Sequence, residues 1–110
     1  MDNLSNTYRQ YINSIIQENK IVVFMKGDRL MPMCGFSNTV IQILNKFNIK
    51  YHTINVLDDE NLRNEIKIYS QWPTIPQVYI NGEFIGGSDV MIEMYNTNEL
   101  QELLEQAINL

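Results

Sequence analysis

The stretch "WPTIPQVYINGEFIGG" (residues 72–87) decides how this chain folds. Asn81-Gly82 stands between "QVYI" and "EFI", and that dipeptide suits a two-residue turn with positive φ at both positions. The flanking runs therefore read as two antiparallel strands closed into a hairpin. Pro76 immediately precedes the first of them. After the hairpin, Ser88 and Asp89 read as the cap of a helix whose apolar set is Val90, Met91 and Met94.

Upstream, "DDENLRNEIKIYS" (58–70) opens with acidic residues, as helix starts prefer, and carries Leu62, Ile66 and Tyr69 as a stripe. "YHTINV" (51–56) reads as a strand, and "IVVFM" (21–25) as a buried strand rich in β-branched residues. Between those two lies a loop, "KGDRLMPM" (26–33), punctuated by Gly27 and Pro32. A helix then starts near Cys34, with Phe36, Val40, Ile43, Leu44 and Phe47 on one face. Tyr8, Tyr11, Ile12, Ile15 and Ile16 predict a first helix over 5–19, and Leu100, Leu103, Leu104 and Ala107 a last one. The order α-β-α-β-α-β-β-α-α contains a β-α-β unit, then a helix and a hairpin. It predicts an α/β, thioredoxin-like fold: a four-stranded mixed sheet flanked by helices.

The 110 residues suffice for one domain over 1–110, and 45% hydrophobic with 19% charged is ordinary globular composition. A net charge of -5 argues against a nucleic-acid partner. No apolar run is long enough for a bilayer, so a soluble chain without membrane partners is expected. One cysteine cannot build a disulfide framework, which points to a reducing compartment. That cysteine and the one histidine, His52, cannot complete a zinc site within a chain. The opening "MDNLSNTYRQ" has neither the basic-then-apolar order of a signal peptide nor the arginines of a transit peptide. A trimmed precursor would leave the compartment open.

Cys34 follows a strand and a loop and sits at a helix start, where free N–H groups and the dipole favour a thiolate. The dipole alone is worth ~0.3–1 kcal/mol, less than about one pKa unit. Reactive cysteines fall from about 8.5 to between ~3.5 and 7.5, so a second source is needed. Lys26, at the end of the preceding strand, is the natural one. The competing reading is a buried structural cysteine. Gly35 and the polar Ser37 and Asn38 favour an exposed helix start instead. Ser37 takes the place that a C-x-x-C motif gives its second cysteine, so intramolecular dithiol exchange is excluded.

"CGFS" (34–37), preceded by "VVFMKG" (22–27), resembles the monothiol glutaredoxins, and "WPTIPQVYINGEFIGG" matches that family's second signature. The similarity runs from about residue 19 to 105 and is to single-domain members of the mitochondrial, glutaredoxin-5-like type. The resemblance implies a glutathione-dependent carrier that takes a 2Fe-2S cluster to acceptor apoproteins. In that role Cys34 ligates the cluster together with a second subunit, giving a homodimer when loaded. The alternative is a thiol–disulfide oxidoreductase that removes glutathione from protein thiols through Cys34. The loop "KGDRLMPMCGFS" bears on that choice, because it is longer than the spacing in dithiol relatives. A third reading is a scaffold for a partner such as a BolA-type protein. The resemblance favours the mitochondrion, with cytoplasm or a plastid-like organelle as alternatives.

Family positions carry over one by one. Lys26, Arg63 and Lys67 match the basic groups that answer the glycine carboxylate of glutathione. Thr74, Ile75 and Pro76 match the segment that pairs with its cysteinyl backbone, Pro76 being the cis-proline. Ser88 and Asp89 match the pair holding its γ-glutamyl end. Many relatives carry a second cysteine where Ser88 stands. Each position also has a plainer reading. Arg63 and Lys67 suit a solvated helix face, with Glu60 pairing to Arg63. Ser88 and Asp89 suit a simple helix cap. His52 reads as an ordinary strand residue, Met91 and Met94 as core, and Met31 and Met33 as a soft surface beside Cys34.

Overall fold

The computed structural model describes residues 3–108. The expected domain over 1–110 thus includes Met1, Asp2, Asn109 and Leu110, which lie outside the described residues. Helix α1 (Asn3–Glu18) leads into strand β1 (Ile21–Met25), followed by α2 (Gly35–Leu44) and β2 (His52–Asn55). A 3-10 turn (Val56–Asp58) precedes α3 (Glu60–Ser70). The hairpin strands are β3 (Gln77–Ile80) and β4 (Glu83–Gly86), and α4 (Ser88–Asn96) and α5 (Glu99–Ile108) end the chain.

The sheet order is β2-β1-β3-β4. β1 runs parallel to β2, with Val22 opposite His52 and Met25 opposite Asn55. It runs antiparallel to β3, with Ile21 opposite Ile80 and Phe24 opposite Gln77. The β3–β4 hairpin closes through Asn81 (φ 53°) and Gly82 (φ 82°), the positive φ pair that the sequence predicts. This is the expected four-stranded mixed sheet of the thioredoxin-like class.

Alternation along β1 distributes the core, because successive side chains leave opposite faces of a strand. Ile21, Val23 and Met25 join a cluster with Val40, Leu44 and Leu100, under α2, α4 and α5. Val22 and Phe24 join Ile12, Ile16, Leu62 and Ile66, under α1 and α3. All five residues of β1 are buried, which is why "IVVFM" carries no polar alternation. Among the described residues no helix is long and apolar enough to cross a membrane.

Several expected boundaries move. Tyr11, placed in the buried stripe of α1, is 48% exposed, because it sits at the rim beside Ile12 and Ile15. Helix α2 stops at Leu44, and Phe47 packs beyond it, edge-on to Tyr95. Strand β2 begins at His52 and ends at Asn55. There the Asn55 side chain accepts the Leu57 N–H at 3.0 Å and turns the chain into the 3-10 turn, taking Val56 with it. Gly87, rather than Ser88 or Asp89, is the N-cap of α4, and those two are its first helical residues.

Candidate functional site

The site forms where β1 ends. Gly27 turns at φ +90°, and a Cβ there would stand 2.4 Å from the Met31 carbonyl oxygen, so only glycine fits the loop. The loop is tied internally. Asp28 Oδ1 accepts the N–H groups of Leu30 (2.9 Å) and Met31 (2.8 Å), and Met33 N–H donates to the Lys26 carbonyl at 2.9 Å. The Asn55 side chain accepts the Gly27 N–H at 2.9 Å, and Arg29 lies over the Tyr51 ring and donates to the Tyr51 carbonyl. The loop so held turns Leu30, Met31 and Met33 outward and delivers extended backbone at Cys34.

Cys34 is the N-cap of α2 and is half-buried. Its side chain makes no cap hydrogen bond, so the helix start is open to a charged sulfur. The backbone N–H of Ser37 is the main cause holding the thiol pKa below the ordinary range. Burial opposes it, and the Phe36 N–H, the Lys26 charge and the Ser37 hydroxyl add to the lowering. Lys26 thus contributes, as expected, but behind the N–H groups of the helix itself.

Ser37 differs from the expectation of a polar residue at an exposed start: it is fully buried. Its hydroxyl accepts the Lys26 N–H at 3.1 Å, satisfying a backbone donor where β1 leaves the sheet. Phe36 differs in the opposite sense. Placed on the apolar face of α2, it is 63% exposed and lines the groove, whereas Val40 and Ile41 farther along the helix are buried.

A groove of about 440 Å³ opens beside the sulfur. Lys26, Cys34 and Phe36 line it from the β1–α2 connection, and Lys67 from α3. The segment before β3 contributes Thr74, Ile75 and Pro76, with a cis Ile75–Pro76 bond. The start of α4 contributes Ser88 and Asp89. Sequence reasoning missed Phe36, Pro73 and Gly87 as lining residues. Their signal was only their position, inside or beside the two quoted motifs.

Arg63 is placed differently. It stands one turn before Lys67 on α3 and does not line the groove. Its Nε is buried with no hydrogen-bond partner among the described residues, so the expected pairing with Glu60 is not made through that nitrogen. His52 is an exposed strand residue, and Met91 is core with Met94 packed against it, as the plainer readings had them.

Electrostatically the groove differs from the acidic chain around it. Two ammonium groups, Lys26 and Lys67, face the space that the starts of α2 and α4 also face. The first N–H groups of each helix lack intrahelical partners and suit anions. One carboxylate, Asp89, completes the set. Such a lining suits an elongated ligand carrying two separated anionic groups and one cation, placed against a thiolate. Among the described residues no group of three or more His, Cys, Asp or Glu could hold a metal ion.

A family profile described as Glutaredoxin matches residues 21–85. The ycf64-like monothiol glutaredoxin of Synechocystis sp. is 60% identical over 97 residues, 88% of this chain and 91% of that one. The chloroplastic monothiol glutaredoxin-S14 of Arabidopsis thaliana is 48% identical over 105 residues, 96% of this chain and 61% of that one. The solution structure of reduced poplar apo GrxS14 matches with a TM-score of 0.85 at 43% identity, over 99% of this chain and all of that one. Relatives with chloroplastic, mitochondrial and Synechocystis names are all among those similar to the chain.

Proposed function

The chain belongs to the glutaredoxin family, among its monothiol members, and on that premise we propose that it binds glutathione in the groove and carries a 2Fe-2S cluster to acceptor apoproteins. The observation that carries this reading is the setting of Cys34. The chain's one thiol borders a cationic groove with its thiolate favoured, while Ser37, at the resolving position, is buried and bonded to backbone. The thiolate therefore has a ligand site beside it and no partner cysteine.

Each charged group of glutathione has a counterpart. Lys26 and Lys67 suit its glycine carboxylate, and Arg63 acts on the same end only from outside the groove lining. Thr74 and the backbone of Ile75 before Pro76 suit its cysteinyl amide. The helix start at Ser88 and Asp89 suits its γ-glutamyl carboxylate, with the Asp89 side chain for the ammonium. A 2Fe-2S cluster takes four ligands, commonly thiolates. One chain supplies one, so the cargo is held by Cys34 from two chains and by two bound glutathiones. The cargo-loaded form is a homodimer of single glutaredoxin domains spanning 1–110. Acceptor apoproteins, and a BolA-type protein, are the partners this role implies, in an intracellular reducing compartment such as the mitochondrion.

A second reading rests on the lowered pKa of half-buried Cys34. That thiolate suits attack on the glutathione sulfur of a mixed disulfide, releasing the protein thiol, with a second glutathione regenerating Cys34. Anaerobic reconstitution with iron, sulfide and glutathione separates the two. The carrier reading expects a brown, glutathione-dependent visible spectrum, lost in Cys34→Ser although that variant still melts as a folded protein. A full spectrum in Cys34→Ser, or none in the wild type, contradicts it.

A further inference from the structure

One wall of the groove hangs from a buried polar pair. Gln77 is fully buried in β3, and its Nε2 donates to the carbonyls of Trp72 (3.1 Å) and Thr74 (3.2 Å). Its Oε1 accepts the Tyr79 hydroxyl at 3.3 Å. This arrangement fixes the amide's orientation. Reversed, it would aim an oxygen at two carbonyls and an NH₂ group at a hydroxyl. Burial raises the Tyr79 pKa well above the usual range, so the phenol stays protonated and keeps donating.

The anchor itself is rigid. β3 is paired on both sides, with Gln77 opposite Phe24 of β1 and Tyr79 opposite Phe84 of β4. The Tyr79 ring packs against Phe24 (5.6 Å) and Phe84 (5.4 Å). The hung segment reaches the helix that carries Lys67. Ser70 Oγ accepts the Trp72 N–H at 3.1 Å and donates to the Lys67 carbonyl at 3.3 Å. From β3 outward, one chain of hydrogen bonds thus spans Tyr79, Gln77, the Trp72 and Thr74 carbonyls, Ser70 and the end of α3. Neither Gln77 nor Tyr79 lines the groove.

We infer that Gln77 and Tyr79 are positioning residues: they suspend the segment from Trp72 to Thr74 from the central sheet and so set where Thr74 and Ile75 meet glutathione. The inference rests on the glutathione reading above. A purely structural pair would lower stability and leave the affinity of the folded protein alone. A positioning pair changes affinity while the fold persists, because the carbonyls it releases can move without disturbing the paired strands.

The test is calorimetric titration with glutathione of the wild type, Gln77→Met, Gln77→Glu and Tyr79→Phe, each with a thermal melt. Gln77→Met, which keeps length and loses both donors, is expected to bind about tenfold more weakly. Tyr79→Phe, which removes the hydroxyl that meets the amide oxygen and the Ser70 side chain, is expected to bind about threefold more weakly. Gln77→Glu supplies the signature. Relative to wild type its affinity recovers as pH falls, because a protonated carboxyl regains a donor. The absorbance titration of Cys34 is expected to stay in place in all of them, since the start of α2 sets it. Folded Gln77→Met or Tyr79→Phe protein with wild-type affinity overturns the inference, and Tyr79→Phe decides if the Gln77 variants do not fold. Wild-type protein that fails to bind glutathione overturns the functional reading and this inference together, so the two failures are distinguishable.

Discussion

At the residue scale, reactivity at Cys34 is a property of the first helical turn. The Ser37 N–H outweighs every other influence lowering its pKa, and the Lys26 charge acts behind it and the Phe36 N–H. A group whose folded pKa is depressed contributes stability that is fully present above its unfolded value and is lost as pH falls through the folded one. The stability difference between wild type and Cys34→Ser is therefore expected to grow as pH rises from the folded pKa toward about 8.5, measured by urea unfolding. Alkylation by iodoacetamide checks the same point kinetically. Its rate is expected to be half-maximal below about pH 8.5, and a midpoint at or above that value contradicts the assignment. Lys67→Glu is expected to weaken glutathione binding by roughly 1.5–3 kcal/mol in calorimetry, and the same reversal at Arg63 by less, since Arg63 does not line the groove. Unchanged affinity in Lys67→Glu would return that residue to a solvated helix face. The type and position of these charges were legible in the sequence. The inward turn of Ser37 and the exclusion of Arg63 were not, because both depend on where β1 and α3 end in space.

At the element scale, the loop from Lys26 to Met33 is a closed structure that aims Cys34 into the groove. Its closure depends on Gly27, whose φ of +90° and contact with the Met31 carbonyl leave no room for a Cβ. Gly27→Ala is expected to cost about 1–3 kcal/mol in urea unfolding and to raise the Cys34 pKa, as the sulfur leaves the N–H groups of α2. A variant that unfolds like wild type would show that the loop tolerates another path. The hairpin was legible because its turn chemistry is local: Asn81 and Gly82 specify it with no help from the rest of the fold. Helix faces were legible where the stripe lies over the sheet, as at Ile12, Ile16, Val40 and Leu44. Phe36 and Tyr11 fell on the wrong side because periodicity gives a direction around a helix and no measure of where its cover stops. Gln77 was hidden for another reason. A strand buried on both faces shows no alternation, so a buried amide in "QVYI" reads like any strand residue.

At the scale of the whole molecule, the sheet carries two separate cores, α2, α4 and α5 covering one face and α1 and α3 the other. The groove gathers residues from both sides of this division: Cys34 and Asp89 from helices on one face, Lys67 from a helix on the other. A chain of net charge -5 thereby keeps a locally cationic, thiol-bearing site. One cysteine per chain leaves a four-ligand cluster incomplete. On the proposed function, two chains and two bound glutathiones would complete it, and ligands supplied from outside would let the cargo leave. Native mass spectrometry of the anaerobically reconstituted protein measures this directly. The expected species holds two chains, one 2Fe-2S cluster and two glutathiones. A monomer with a full cluster, or a loaded form without glutathione, would contradict it.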